Sequence, residues 1–262
     1  MTLKILLTSA LFAGLLTTGH HPLSGPGPAT PTISTDPNLT SHPLSNGFAL
    51  LELYTSEGCS SCPPADEIVS ALPKIYGSGV YVMTFHVDYW DRFGWKDPFS
   101  NAGYTRRQKE YNIALSPMPD IFTPQVIING KMELVGSDEP RIRAAIDSEL
   151  VHTVNPAIEA SAHSTDNATI TVDYTLSGKS PGEFRAALIQ LQATTNVQKG
   201  ENAGRRLQHA DIVRDLRSSG KRSGALKLTL PAGLTPNDCK VLVFLQDKDN
   251  LHIGGAHLLD IH

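Results

Sequence analysis

The segment Tyr54-Thr55-Ser56-Glu57-Gly58-Cys59-Ser60-Ser61-Cys62-Pro63-Pro64 joins two different patterns. Ahead of it, Ala49-Leu50-Leu51-Glu52-Leu53-Tyr54 is a short apolar run of the length of a buried strand. Behind it, Ile68, Val69, Leu72 and Ile75 recur at helical spacing. Proline suits the first turn of a helix and no later interior position, so Pro63 and Pro64 mark where the helix begins. By the same reasoning Pro73 predicts that this helix ends or kinks there. The Cys59 and Cys62 pair therefore falls at a strand-to-helix junction, on the first helical turn.

Further along, Val80 to Val87 reads as a second buried strand. Asp88 to Ser116 is aromatic and charged, with Tyr89, Trp90, Phe93, Trp95 and Phe99 ahead of a helix around Tyr104 to Tyr111. Thr123-Pro124-Gln125-Val126-Ile127-Ile128-Asn129-Gly130 is a Pro-initiated strand ending in an Asn-Gly turn, and Met132 to Val135 is the returning strand. Glu139 to Leu150 places Ile142, Ala145, Ile146 and Leu150 on one helical face. Strand, Cys-bearing helix, strand, helix, hairpin, helix is the order of an α/β domain, assigned to residues 47–154. After Asn155-Pro156 the pattern turns to alternation, clearest in Thr169 to Leu176. About seven strands separated by turn signals predict an all-β sandwich over residues 155–262. Within it, Gln208 to Leu216 reads as a strand or a helix.

In the other direction, Lys4, the apolar run Ile5 to Leu16 and the small residues Thr17-Thr18-Gly19 have the form of a signal peptide, residues 1–19. The alternative is an uncleaved anchor, for which the run is short. Residues 20–46 are rich in Pro, Ser, Thr and Gly and read as a flexible linker. No later stretch is apolar for long enough to span a bilayer, so a periplasmic or secreted protein is expected. The chain of 262 residues carries a formal net charge of -4, which gives no electrostatic reason to expect nucleic acid or anionic membrane as a partner. Three cysteines are too few for a disulfide-dense scaffold.

Outside the cytosol a Cys-x-x-Cys pair is a stable bridge, an active redox pair or a metal site. A thiol at a helix N-terminus faces unpaired N–H groups and the positive end of the helix dipole, which favour a thiolate. Cys59 suits attack and Cys62 suits resolution in thiol-disulfide exchange, with exported proteins bearing thiols or disulfides as partners. So short a ring removes little chain entropy, which argues against a purely stabilising bridge. Cys59, Cys62 and His86 together are the alternative, a Cu(I) site. A third reading is a non-enzymatic interaction module. His86 and Asp88 alternate at a strand end and share a face. His86 is thus a candidate for proton transfer or for a third metal ligand; the plainer reading bonds it to Asp91 or to a backbone carbonyl. Trp90 and Trp95 line a peptide surface or simply pack a loop. Gly200 to Arg206 reads slightly better as a solvated glycine turn than as a loop contacting the first domain. His209, Asp211 and Arg214 read as an exposed interface strand. Cys239 reads as an inert buried thiol, with exchange with Cys59 or another molecule as the alternative.

The strand, the Cys-x-x-Cys-Pro turn and the later Thr123-Pro124 before a strand resemble the thioredoxin superfamily over about Phe48 to Val151. The resemblance implies a cis-proline at Pro124, packed against the Cys pair, with Thr123 before it. It implies possible oxidoreductase activity, with no cofactor. Two departures accompany it: Gly58 stands where those enzymes usually carry Trp, and Leu53 where they hold a buried Asp, Glu52 facing the other way. The whole chain also resembles exported bacterial proteins of a thioredoxin-like domain of unknown function. Tyr54 to Asp66, Phe85 to Asp91, Arg107-Gln108 and Gly200 to Arg205 carry that likeness.

Overall fold

The computed structural model describes residues 47–116, 120–152, 158–178 and 182–262. The expected signal peptide 1–19 and linker 20–46 lie outside the described residues. The chain is a mixed α/β fold with one eight-stranded sheet and one three-stranded sheet.

β1 (Ala49–Thr55) runs into α1 (Cys62–Tyr76), and β2 (Val80–His86) returns parallel to β1. α2 (Ala102–Leu115) follows, then β3 (Gln125–Ile128) and β4 (Met132–Val135), then α3 (Glu139–Leu150). β3 pairs antiparallel with both β1 and β4, so these four strands stand in the order β2-β1-β3-β4. The Asn129-Gly130 turn takes positive φ at both residues. A Cβ at Gly130 would sit 2.0 Å from the Leu251 carbonyl oxygen, so only glycine fits.

The helix does not end at Pro73. α1 keeps its last turn past Pro73 and closes where the Gly77 N–H donates to the Pro73 carbonyl at 3.0 Å. Proline lacks only its own N–H, so the helix loses one bond there and continues.

β5 (Ile158–Asp166), β6 (Thr169–Leu176) and β9 (Ser223–Thr229) form the three-stranded sheet. β7 (Glu183–Asn196), β8 (Arg206–Ser219), β10 (Cys239–Gln246) and β11 (Ile253–Leu259) extend the first sheet instead, in the order β11-β10-β7-β8-β2. Gln208 to Leu216 is therefore strand, inside β8. β8 lies parallel to β2, with Thr84 opposite Ile212, and covers an edge that would otherwise be open.

Three cores follow from strand alternation. Ala49, Leu51 and Leu53 face α1 and α3 with Val69, Leu72 and Ile146. Leu50, Tyr54, Met83 and Phe85 face α2 together with Leu242 and Phe244 of β10. The three-stranded sheet packs Ile170, Val172 and Leu228 against Phe184, Leu188, Val241 and Val243.

Glu52 points to the α2 side, as its register predicts, into an otherwise apolar layer. Arg107 of α2 meets it there: Nε donates to Oε2 and Nη2 to Oε1, both at 2.7 Å. The Tyr111 hydroxyl donates to Glu52 Oε1 at 2.6 Å, and Arg107 Nη1 donates to Gln246 Oε1 of β10 at 3.0 Å. Removing one partner of such a pair leaves a buried charge alone, which costs about 3 to 5 kcal/mol. Glu52→Gln is expected to lower the urea midpoint accordingly, and Glu52→Leu combined with Arg107→Met to recover most of the loss. A double variant no more stable than the single one would show that the pair does not act as a unit.

Candidate functional site

Cys59 and Cys62 form a disulfide at the head of α1. Both residues are fully buried, while Ser60 and Ser61 between them are exposed. Ser61 Oγ lies 3.3 Å from Cys59 Sγ. The Thr123 carbonyl oxygen lies 3.8 Å from Cys59 Sγ, and Thr123-Pro124 is a cis peptide. The β3 approach and the Cys loop thus meet at the sulfur, as the sequence reading requires of Thr123, Pro124, Cys59 and Cys62. Gly136 makes this fit: a Cβ there would stand 2.9 Å from Pro124 Cβ and 3.1 Å from Ala65 Cβ. Trp90 closes the other side. Its Nε1 donates to Thr123 Oγ1 at 2.8 Å, and its Cβ lies 3.0 Å from where a Gly58 Cβ would be. Glycine at position 58 is what lets Trp90 pack so near the loop.

His86 is bonded, but not to Asp91. Its Nδ1 lies 2.6 Å from Oδ2 of Asp97, and both side chains are fully buried. Asp91 instead accepts from the Asp97 N–H and the Ser100 hydroxyl, which shapes the loop that presents Asp97. Asp88 accepts from the Thr105 hydroxyl and takes no part in the site. Asp97 also accepts from the Glu57 N–H at 2.8 Å, so one carboxylate fixes both the histidine and the Cys loop. Burial works against charging His86, but Asp97 outweighs it and raises the imidazole above its usual range. For Asp97 burial works the other way, and His86 holds the carboxyl low.

The second half of the chain supplies residues that sequence reasoning misplaced. His209 was expected on an exposed strand; it is buried, with Nε2 3.0 Å from Glu57 Oε1. Trp95 Nε1 donates to the other Glu57 oxygen at 2.7 Å. The Gly200 to Arg206 segment is a turn with exposed Arg205 and Arg206, as expected, but it also contacts the Cys loop. Asn202 is fully buried, and its Nδ2 donates to the carbonyls of Glu57 and Cys59 at 2.9 Å each. Glu201 accepts from the Ser60 N–H, also at 2.9 Å. Strand alternation was the available signal, since Leu207 and His209 share one face of β8. Nothing local marked Asn202, whose two acceptors are brought to it by the fold.

Cys239 is buried in the core beneath the three-stranded sheet, and burial pushes its thiol up to about 11. That environment keeps a thiol protonated and unreactive. Among the described residues, no group of three or more His, Cys, Asp or Glu side chains is arranged to hold a metal ion. Nor is any helix among them long and apolar enough to cross a membrane.

Residues 50–246 match a family described as protein of unknown function, DUF1223. The crystal structure of protein AGR_C_4864 from Agrobacterium tumefaciens is similar, with 26% identity over 84% of this chain and 96% of that one, at a TM-score of 0.62. A domain of the outer membrane lipoprotein Omp28 from Porphyromonas gingivalis shares 13% identity over 40% of this chain and 86% of its own, but its TM-score of 0.25 is too low to bear on the fold. No curated protein matches the chain.

Two predictions follow from these contacts. Asn202→Ala leaves two carbonyls of the buried Cys loop without a donor and should cost about 1 to 3 kcal/mol. Thermal unfolding reads this, and an unchanged midpoint would mean that the loop holds without Asn202. The second concerns pH. Burial pushes both Asp66 and Asp211 up to about 6. Each binds a proton when folded where the unfolded chain has released it, so each costs stability, about 3 kcal/mol, as pH rises from about 4 through 6. His86, raised when folded, contributes fully below about 6.5 and loses its contribution as pH climbs through the folded value. Asp97, held low, keeps its contribution until pH falls below about 4. Asp66, Asp211 and His86 agree in sign over this interval, across which Asp97 is constant, so the urea midpoint should be higher at about pH 5 than at about pH 8. A midpoint that rises over that interval would contradict the assignment.

Proposed function

Because the chain belongs to the DUF1223 family, whose description names no activity, we propose from the site itself that it is a thioredoxin-like protein carrying out thiol-disulfide exchange on exported protein partners. The observation that carries this reading is the Cys59–Cys62 disulfide on the first turn of α1, beside the Thr123-Pro124 backbone. The strand order β2-β1-β3-β4, with α1 after β1 and α3 after β4, supports the reading of a thioredoxin-like core. The packing of β7 and β10 against the three-stranded sheet supports the reading of a sandwich in the second half of the chain. A partner thiolate enters past the exposed Ser60-Ser61 turn and attacks Cys59 Sγ, expelling Cys62. The helix N-terminus then stabilises the sulfur that carries charge. The signal-like segment 1–19 supports a periplasmic or secreted location for this chemistry.

A second reading, an interaction module with an inert bridge, is favoured by one observation: both cysteines are buried in the oxidised state. Titration of the pair against glutathione buffers, followed by alkylation and mass spectrometry, separates the two. Exchange predicts a reversible transition between about -120 and -270 mV. A pair that stays oxidised below about -300 mV would instead leave the interaction module.

A further inference from the structure

Behind the Cys pair lies a buried polar cluster for which the exchange chemistry above has no role. His86 Nε2 and His209 Nδ1 are buried with no hydrogen-bond partner among the described residues, and the buried Thr55 hydroxyl and Asp66 carboxyl stand against each other beside them. They come from four elements that meet at one point. Thr55 and His86 are register partners at the ends of β1 and β2. His209 of β8 lies with its ring 4.9 Å from that of His86 and its Nδ1 3.9 Å from Asp66 Oδ2 of α1. The other nitrogen of each histidine is held by a carboxylate, His86 by Asp97 and His209 by Glu57. An unpaired buried polar atom costs about 1 to 3 kcal/mol, so two bare imidazole nitrogens in one place are a standing cost that stability does not explain. Asp66 follows Cys62 by four residues in α1, on the same helical face, with Cβ atoms about 5 to 6 Å apart.

We propose that Asp66 is the proton carrier for Cys62, with His86 and His209 as positioning residues that hold its charge. This rests on the exchange reading. A partner thiolate forms a bond to Cys59 Sγ, the Cys59–Cys62 bond breaks, and Cys62 leaves as a thiolate that takes the Asp66 carboxyl proton. A second thiolate of the same partner then displaces Cys59, so the partner dithiol is oxidised by two electrons and the pair reduced by two. Asp66 recovers its proton from water. In reverse, the Asp66 carboxylate takes the Cys62 proton, and the resulting thiolate closes on Cys59 Sγ and expels the partner thiolate. The route to water is a cleft of about 540 Å³ between α1 and the β7 and β8 strands, lined by Asp66, Glu67, Lys74, His209 and Asp211. Arg205 and Arg206 line a second recess beside Asp66, of about 250 Å³. With Glu57 and Asp97 behind the histidines, these are the charged groups that face it. Burial, opposed by His86, puts the Asp66 carboxyl at about 6, close to where a proton carrier works best.

The test is closure of the reduced chain after reaction with oxidised glutathione, quenched in time and read by mass spectrometry from about pH 5 to pH 9. In the native chain, closure should speed up through about pH 6 as Asp66 ionises. Asp66→Asn should lose that limb, slow closure at neutral pH on the order of a hundredfold, and accumulate the mixed disulfide. Asp66→Glu should restore part of both. An Asp66→Asn variant that is folded by circular dichroism and keeps the native rate and pH profile overturns the proposal while leaving exchange intact. Stoichiometric Zn²⁺ uptake by the native chain, lost in Asp66→Asn, overturns it in favour of a metal site. A native chain that forms neither mixed nor closed disulfide overturns the exchange reading itself.

Discussion

The ion pair of Glu52 and Arg107 is the contact on which the rest of the structure leans. It sits in the middle of an apolar layer, where two isolated charges would be untenable. Its hydrogen bonds reach Tyr54 of β1, Tyr111 of α2 and, through Gln246, β10. α2 is thereby pinned across strands from both halves of the chain. The loop ahead of α2 carries Trp90, Trp95 and Asp97, so fixing the helix also fixes the residues that wall the Cys pair. The Arg107 guanidinium lies 5.8 Å from the ring centroid of Phe85 and 5.8 Å from that of Phe244, which lets the apolar residues share its burial.

The Cys site is backed by buried charge. Glu57, Asp97, His86 and His209 form two carboxylate–imidazole pairs that bind the Cys loop, the β2 end and β8 together. Rings of His86, His209 and Phe99 meet edge to face around them. Such a polar cluster orders its surroundings when each member is satisfied; here His209 Nδ1 lies 3.9 Å from Asp66 Oδ2, and His86 Nε2 has no hydrogen-bond partner among the described residues.

The sequence made local features legible and distant ones not. The start of α1, the Asn-Gly turn and the strand limits of Thr169 to Leu176 are written in neighbouring residues, through proline, positive φ and alternation. Cys59, Cys62, Thr123 and Pro124 were found because two short motifs lay in a recognisable order. Asp97, Asn202 and His209 were not, because their partners lie 40, 143 and 152 residues away in the sequence. His86 was marked correctly as a bonded histidine but given the wrong acid, since Asp91 and Asp97 lie on the same loop and only its turn decides which one points inward. The division of the last seven strands between two sheets was equally hidden: alternation reports which face of a strand is buried, and is silent on which strand lies beside it.

Asn202 ties the turn after β7 to the backbone of the Cys loop, and Glu201 ties it to the residue between the two sulfurs. Two places joined in this way obey a reciprocity. If a molecule grips that turn more tightly in one oxidation state than in the other by about tenfold, it favours that state by about 1.4 kcal/mol, and the oxidation state changes its grip by the same factor. The turn is far from the sulfurs along the chain, yet energetically it is a handle on them.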